Sequence, residues 1–484
     1  MNPLRWIYEE LGIGVLVASD RDTHLLLLSR FARMMAYGAS SVILAIYFTA
    51  LGHSEAKTGL FMTLTLLGDV VISLGLTLVA DRLGRRRMLM LGALMMSFSG
   101  VVFGIFSNYW ILVAAAIIGV ISPSGNEIGP FRAIEESVLA HLSDPDSRSY
   151  IFSWALVCGQ SAAASGALAC GWTVQRLQSA HWGDVKAFRF IFWIYALLGL
   201  VKFGLALLLS EACEVGKETK KQDVSERETE EAELEELGAF LEDDEDEDGD
   251  EDGHKSKVPE EDRRQKLEER RIELESQKKP KPTGFMAISR ESWVVLIKLC
   301  LLFAFDSLGS GLVSPSLISF YIDRKFHPRQ GIIGSIMSVT WILSALSNLF
   351  ASSIAKRIGL IKTMVFTHLP SAIFLALIAA PSHLSWALVF MALRFSVSSM
   401  DQAPRSAFLS AVVLAEERTA VMGIVNVVKT LSQSAGPSIT GLLAKANHFG
   451  LAFVLAGGLK ATYDLGLLAM FVGKKPEDIA GHRR

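Results

Sequence analysis

Ionisable residues embedded in apolar sequence are the groups of this chain best placed to do chemistry. A charge near the centre of a bilayer costs at least about 2.5–3.5 kcal/mol, so such residues persist where they carry a proton, meet a solute or pair with one another. Asp306 stands out, between Leu301-Leu302-Phe303-Ala304-Phe305 and Ser307-Leu308-Gly309-Ser310-Gly311. A carboxyl group in low dielectric can carry a proton across in one conformation. Laying Gly38 on Gly311 sets Arg33 opposite Asp306, and a protonation-sensitive pair of the two is expected. Glu127 and Asp401 fall one residue apart at a shift of 273 and are the next candidates for proton coupling or solute contact. Arg132, Glu135, Glu136 and Arg405 sit towards the ends of apolar stretches, where gate salt bridges suit them, and Arg30, Asp69, Arg394 and Lys429 complete the group. Tyr37, Tyr47, Trp154, Gln160, Trp341 and Gln433 are uncharged candidates for a solute path, although single polar or aromatic residues at helical spacing more often serve packing.

Residues of this kind need a scaffold that spans a membrane. With 51% hydrophobic residues and a mean hydropathy of +0.36, the chain falls in the integral-membrane class. About twenty apolar residues make one transmembrane helix, because only an internally hydrogen-bonded segment survives in hydrocarbon. Twelve stretches qualify: 25–50, 58–80, 88–107, 109–130, 149–172, 188–210, 292–320, 331–355, 361–380, 384–404, 419–443 and 448–472. The fold class is therefore an all-α membrane protein of twelve transmembrane helices in two six-helix bundles. Bundles are expected over 25–210 and 291–472, with an amino-terminal segment 1–24, a linker 211–290 and a tail 473–484.

Charge is unevenly spread. Glu211 to Lys281 holds 28 of the 50 acidic and 14 of the 47 basic residues, a balance of −14, which leaves +11 for the remainder. The run Glu242 to Asp252, broken only by Gly249, cannot bury a core and reads as a tether, flanked by possible charged helices over 228–241 and 260–274. Arg82, Arg85, Arg86 and Arg87 lie in one short loop, and Lys356, Arg357 and Lys362 in another. Positive loops stay on the cytoplasmic side, which puts both termini and the linker there; the plasma membrane is the expected site. Arg176, Lys186 and Arg189 run against this pattern. Cys158, Cys170, Cys213 and Cys300 show no disulfide or metal spacing, no cofactor or nucleic-acid site is expected, and no removable signal peptide is read at the amino terminus. Lipids, a small solute and protons are the expected partners of a monomer.

The halves repeat. A shift of 275 lays Ala80-Asp81-Arg82-Leu83-Gly84 on Ala355-Lys356-Arg357-Ile358-Gly359, and Gly59 on Gly334; a shift of 270 lays Arg148, Gly166 and Gly171 on Arg418, Gly436 and Gly441. Six-helix repeats of this parallel kind build many secondary transporters. Small residues cluster in the fifth stretch (Gly159, Ala162, Ala163, Ser165, Gly166, Gly171) and in the eleventh (Gly436-Pro437, Gly441), as close helix packing requires.

Asp81-Arg82-Leu83-Gly84-Arg85-Arg86-Arg87, at the end of the second stretch, resembles the G-x-x-x-D-R-x-G-R-R loop of the major facilitator superfamily. The resemblance implies that Asp81, Arg82, Gly84, Arg85, Arg86 and Arg87 form a gate lock that opens and closes in a transport cycle. In the second half Lys356 replaces the acid and Leu360-Ile361 replace the arginines, so the first half is expected to carry the main lock.

The function expected is secondary active transport of a small organic solute by alternating access, proton-coupled, with efflux favoured over uptake. No Walker-type sequence supports an ATP-driven pump, and no nucleophile elbow or metal spacing supports an enzyme. A sensor or scaffold acting through residues 211–290 is the alternative. Deleting Glu242 to Asp252 separates the two: a tether tolerates the deletion with unchanged flux in proteoliposomes, whereas a signalling element does not.

Overall fold

Apolar sequence periodically interrupted by glycine and proline folds here into fifteen α-helices in the computed structural model, which describes residues 12–119, 121, 130–144, 147–214, 290–402, 404–405, 408–409 and 418–471. In the first half they are α1 (Ile13–Ala18), α2 (Arg21–Ala50), α3 (Glu55–Leu83), α4 (Arg85–Ile105), α5 (Tyr109–Ile118), α6 (Pro130–Leu142), α7 (Arg148–Ser179) and α8 (Asp184–Leu207). In the second half they are α9 (Arg290–Leu312), α10 (Pro315–Phe326), α11 (Gln330–Ile358), α12 (Leu360–Leu377), α13 (Leu384–Val397), α14 (Arg418–Lys445) and α15 (Phe449–Phe471). Taken by span, α5 with α6 and α9 with α10 each make one membrane crossing, giving the twelve-helix, two-bundle fold. Eight of the described helices are long and apolar enough to cross a membrane. Their outward faces carry exposed Leu197, Leu301, Phe366 and Leu465, as a lipid-facing surface does.

Two differences from the sequence reading have local causes. The seventh span is broken: Ser314 is extended (φ −66°, ψ 158°) ahead of Pro315, which opens α10. Proline has no N–H and disfavours a helical residue before it. The tenth span is a continuous helix only to Val397, and residues beyond it form turns and short helical pieces. The acidic run Glu242 to Asp252, the flanking stretches 228–241 and 260–274, and Glu127 lie outside the described residues.

The repeat is visible in backbone conformation. Gly84 and Gly359, 275 residues apart, both adopt φ +88° and turn the chain between α3 and α4 and between α11 and α12. Only glycine takes this conformation without strain. A second set of glycines joins the halves. A Cβ on Gly171 of α7 would lie 2.8 Å from Gly334 Cα of α11, and one on Gly59 of α3 would lie 3.0 Å from Gly441 Cα of α14. Repeat-related glycines thus form two equivalent crossings between the bundles, both at the end of the molecule opposite the Gly84 and Gly359 turns.

Polar groups complete that far-end seam. The Thr63 hydroxyl of α3 donates to the Ser434 carbonyl (2.6 Å) and accepts from the Ser438 N–H (3.2 Å), bridging the ladder of α14 around Pro437. Arg324 of α10 reaches Glu55 of α3 at 2.6 Å and Asn447 at 3.1 Å, and the Gln175 side chain accepts from Gly331 N–H at 3.0 Å. Within the second half, Thr440 donates to the Leu312 carbonyl at 2.7 Å, satisfying an acceptor at the break of the seventh span. Arg189, which fitted the loop-charge pattern poorly, donates to Ser107 Oγ at 2.6 Å.

Gly334→Ala would put a Cβ 2.5 Å from the Ala167 carbonyl oxygen. It should lower stability by about 1–3 kcal/mol, read as melting temperature of the purified chain. Gly204→Ala, where a Cβ would meet no neighbouring helix within 4 Å, should not lower the melting temperature.

Candidate functional site

Each bundle buries one carboxylate between two cations. In the first half Glu135 of α6 is 1% exposed, and accepts from Arg33 of α2 (Oε2, 2.7 Å) and Lys202 of α8 (Oε1, 3.0 Å). Arg30, one turn before Arg33, lies 3.7 Å from Glu136. In the second half Asp306 of α9 accepts from Lys460 of α15 (Oδ1, 2.6 Å) and from Arg405 (Oδ2, 2.9 Å). Arg405 also pairs with Asp401, four residues earlier in the tenth span. First, fourth and sixth spans supply one cluster, and seventh, tenth and twelfth the other. Acid and arginine are exchanged: the first span brings Arg33 where the seventh brings Asp306, and the fourth brings Glu135 where the tenth brings Arg405. The lysine comes from the last span of each half.

The second cluster extends through a histidine. His368 of α12 has Nδ1 3.0 Å from both carboxylate oxygens of Asp464 and Nε2 3.6 Å from Asp306 Oδ1. His368, Asp464, Asp306 and Lys460 are all buried, so the group forms a connected polar chain within the bundle. Lys460 also donates to Ser310 Oγ at 2.8 Å.

The basic turn is organised by a residue the sequence reading passed over. Glu214 accepts from the N–H groups of Arg85 (2.8 Å) and Arg86 (3.1 Å), capping α4 with a carboxylate, which the helix dipole favours. Gly84 is required twice, for its positive φ and because a Cβ would lie 2.8 Å from both Glu214 oxygens. Arg86 donates to the Leu207 carbonyl at 2.6 Å at the end of α8. Ser210 N–H donates to Asp22 at 3.2 Å, so the segment after α8 is tied to α2 and α4 together. Burial, with Asp22 and Glu214 adjacent, pushes the Cys213 thiol up to about 12 and leaves it protonated and unreactive. Arg87 is exposed in the first turn of α4; the side chains of Asp81, Arg82 and Arg132 lie outside the described residues.

Between the bundles, Tyr37 of α2 and Trp341 of α11 meet edge to face with centroids 5.9 Å apart, and Gln160 of α7 accepts from Asn348 of α11 at 3.4 Å. Tyr47 is a core residue instead, fully buried, donating to the Phe103 carbonyl at 2.9 Å. Gln433 is buried and Trp154 partly so.

The profile of the Major Facilitator Superfamily matches residues 26–305 and 299–483. The chain belongs to this superfamily. It is 34% identical over 458 residues to a Saccharomyces cerevisiae protein described as uncharacterized membrane protein YJR124C, covering 94% of this chain and 95% of that one. Among solved structures it is similar to the inward-open xylose transporter XylE of E. coli, at TM-score 0.66, 14% identity and coverage of 94% and 99% of the two chains. The nucleoside transporter NupG follows at TM-score 0.63, 12% identity and coverage of 94% and 100%. Membership of this superfamily makes the chain a membrane transport protein.

Within the superfamily fold, Arg33 and Asp306 occupy equivalent places in different halves, and each is paired inside its own bundle. Laying Gly38 on Gly311 identifies repeat-related positions, and repeat-related positions are not neighbours; the expected Arg33–Asp306 pair is corrected accordingly. Glu135 and Arg405, assigned to gate salt bridges, are the direct partners of Arg33 and Asp306. Lys202, His368, Lys460 and Asp464 were missed although each lies within an apolar span, where the cost of burial already marks it.

Glu135→Gln strands two cations and should destabilise the purified chain by about 3–5 kcal/mol. Glu135→Gln combined with Arg33→Gln should cost less than the sum of the single changes, measured as melting temperature in detergent.

Proposed function

We propose that the protein is a proton-coupled secondary transporter of a small organic solute, working by alternating access of a site between the two bundles. The observation that carries the coupling is His368, held between Asp464 and Asp306 within a membrane-spanning bundle. Asp306 already has Lys460 and Arg405 within 3 Å, which balances its charge. The neighbouring His368–Asp464 pair is the better place for an exchangeable proton, because a proton there alters the charge of a buried group without breaking the arginine and lysine contacts. Movement of the tenth or twelfth span against α12 would change that environment and release the proton.

The transport path runs past Tyr37, Trp341, Gln160 and Asn348, where the halves face each other. The closed far-end seam supports a conformation shut on that side. With the Arg85–Arg87 turn on the cytoplasmic side, both termini are cytoplasmic and the closed side faces outward. The solved relatives in fold include a xylose transporter and a nucleoside transporter, and a polar organic solute of that size suits the same architecture. Direction follows from the gradients imposed, since a coupled carrier is reversible.

Flux into proteoliposomes, screened over metabolites and drugs with and without a pH gradient, tests the reading. The full chain should accumulate a solute against its gradient only when the pH gradient is present. His368→Gln should abolish that accumulation and retain solute exchange without a gradient; accumulation that persists in His368→Gln contradicts the assignment, and flux indifferent to the pH gradient contradicts proton coupling.

A further inference from the structure

Among the described residues, the half-buried Arg394 of the second bundle has no carboxylate within ion-pairing distance. Helix α13 turns Trp386, Val389 and Leu393 outward and buries Ala387 and Met391 on the opposite side. Arg394, seven residues after Ala387 and three after Met391, falls on the buried side by helical periodicity. Its Nε and Nη1 are enclosed, and neither has a hydrogen-bond partner among the described residues. Among the described residues its guanidinium packs against the adjacent Phe395 ring, whose centroid lies 5.0 Å from Cζ, and feels the charge of Asp306 from beyond ion-pairing distance. Arg33, Lys202, Arg405 and Lys460 each hold a carboxylate at 2.6–3.0 Å. Among the described residues, Asp306 is engaged by Lys460 and Arg405, Asp401 by Arg405, Asp464 by His368 and Asp323 by Gln330.

Burying a guanidinium without an acceptor is costly, and the cost is removed when a partner arrives with matching geometry. The planar fork of arginine matches the two oxygens of a carboxylate or phosphate, which a neutral hydroxyl does not. Arg394, Asp401 and Arg405 are spaced by seven and four residues along the same span. Arg394 therefore lies on the span that carries Arg405, one of the two cations that hold Asp306, and an anion neutralised there is linked along one span to the proton-bearing cluster.

We infer that the transported solute carries an oxyanion, a carboxylate or a phosphate, and that Arg394 binds it. This rests on the transporter reading and narrows it to an anionic solute moving with a proton. Binding the anion satisfies the enclosed Nε and Nη1 of Arg394, so the loaded and empty states differ in the charge balance of the bundle.

Thermal shift of the purified full chain tests the inference, with L-lactate, succinate, citrate, inorganic phosphate and glycerol 3-phosphate as probes and lactamide, glycerol and glucose as uncharged counterparts. At least one anion should raise the melting temperature and the uncharged compounds should not; carboxylates and phosphates are separated by which set responds. Arg394→Gln should weaken that response on the order of tenfold to a hundredfold, the value of a hydrogen bond to a charged group. Arg394→Lys, which keeps the charge and loses the fork, should bind about tenfold more weakly and serves as the deciding variant if Arg394→Gln does not fold. No response to any anion, an equal response to an uncharged counterpart, or a response undiminished in both variants overturns the inference. Flux of an uncharged solute unaffected by Arg394→Lys would overturn it while leaving the transporter reading intact. Anion binding lost in Arg394→Lys, without flux in proteoliposomes, would uphold the site and contradict transport.

Discussion

A carboxylate clamped between two cations at the heart of each bundle is the interaction on which the rest of this protein depends. Glu135 with Arg33 and Lys202, and Asp306 with Arg405 and Lys460, each join three spans that are distant in sequence. In a bilayer, hydrophobic burial does not drive helix against helix as it does in water, so ionic and hydrogen-bonded contacts set which helices pack together. Removing one member strands the others in low dielectric, and this makes each bundle a cooperative unit. The charges are exchanged between the halves while the three-span geometry is kept, so the repeat conserves an interaction rather than residue types.

Between the bundles the contacts are of another kind. Glycine crossings at Gly59 with Gly441 and Gly171 with Gly334, the Thr63 bridge and the Arg324–Glu55 pair are close but shallow. Exposed or half-exposed ion pairs contribute little, about 0–1 kcal/mol each, so the seam can part at small cost whereas the bundles cannot. This contrast suits two rigid bodies that rock about a shared interface. The segment Ser210 to Glu214 adds a further constraint, tying the starts of α2 and α4 to the end of α8 through Asp22, Arg86 and the capped turn at Gly84.

Much of this was legible in the sequence. Apolar stretches near twenty residues and the shifts of 275 and 270 gave the helices and the repeat, and Gly84 with Gly359 proved to be the same turn twice. Asp306 and Arg33 were picked out because burying a charge is expensive wherever it occurs. Their partners were not found, because pairing depends on which helices adjoin, and a repeat shift relates equivalent positions instead of adjacent ones. Lys202, His368, Lys460 and Asp464 obey the same cost rule and were readable in principle. The break at Ser314-Pro315 and the Glu214 cap were not, since each depends on local backbone geometry that hydropathy does not register.

Rigid bundles and a yielding seam make one claim that distances test most directly. Spin labels placed at Ala180 and Ala446, on different bundles at the far end, and at Ser54 and Ala180, on the same bundle, can be measured by pulsed electron resonance in nanodiscs across acidic and neutral pH. The account predicts two distance populations for Ala180 with Ala446, shifting in proportion with pH, and a single unchanged distance for Ser54 with Ala180. A distance between Ser54 and Ala180 that changes as much as the distance across the seam would contradict it.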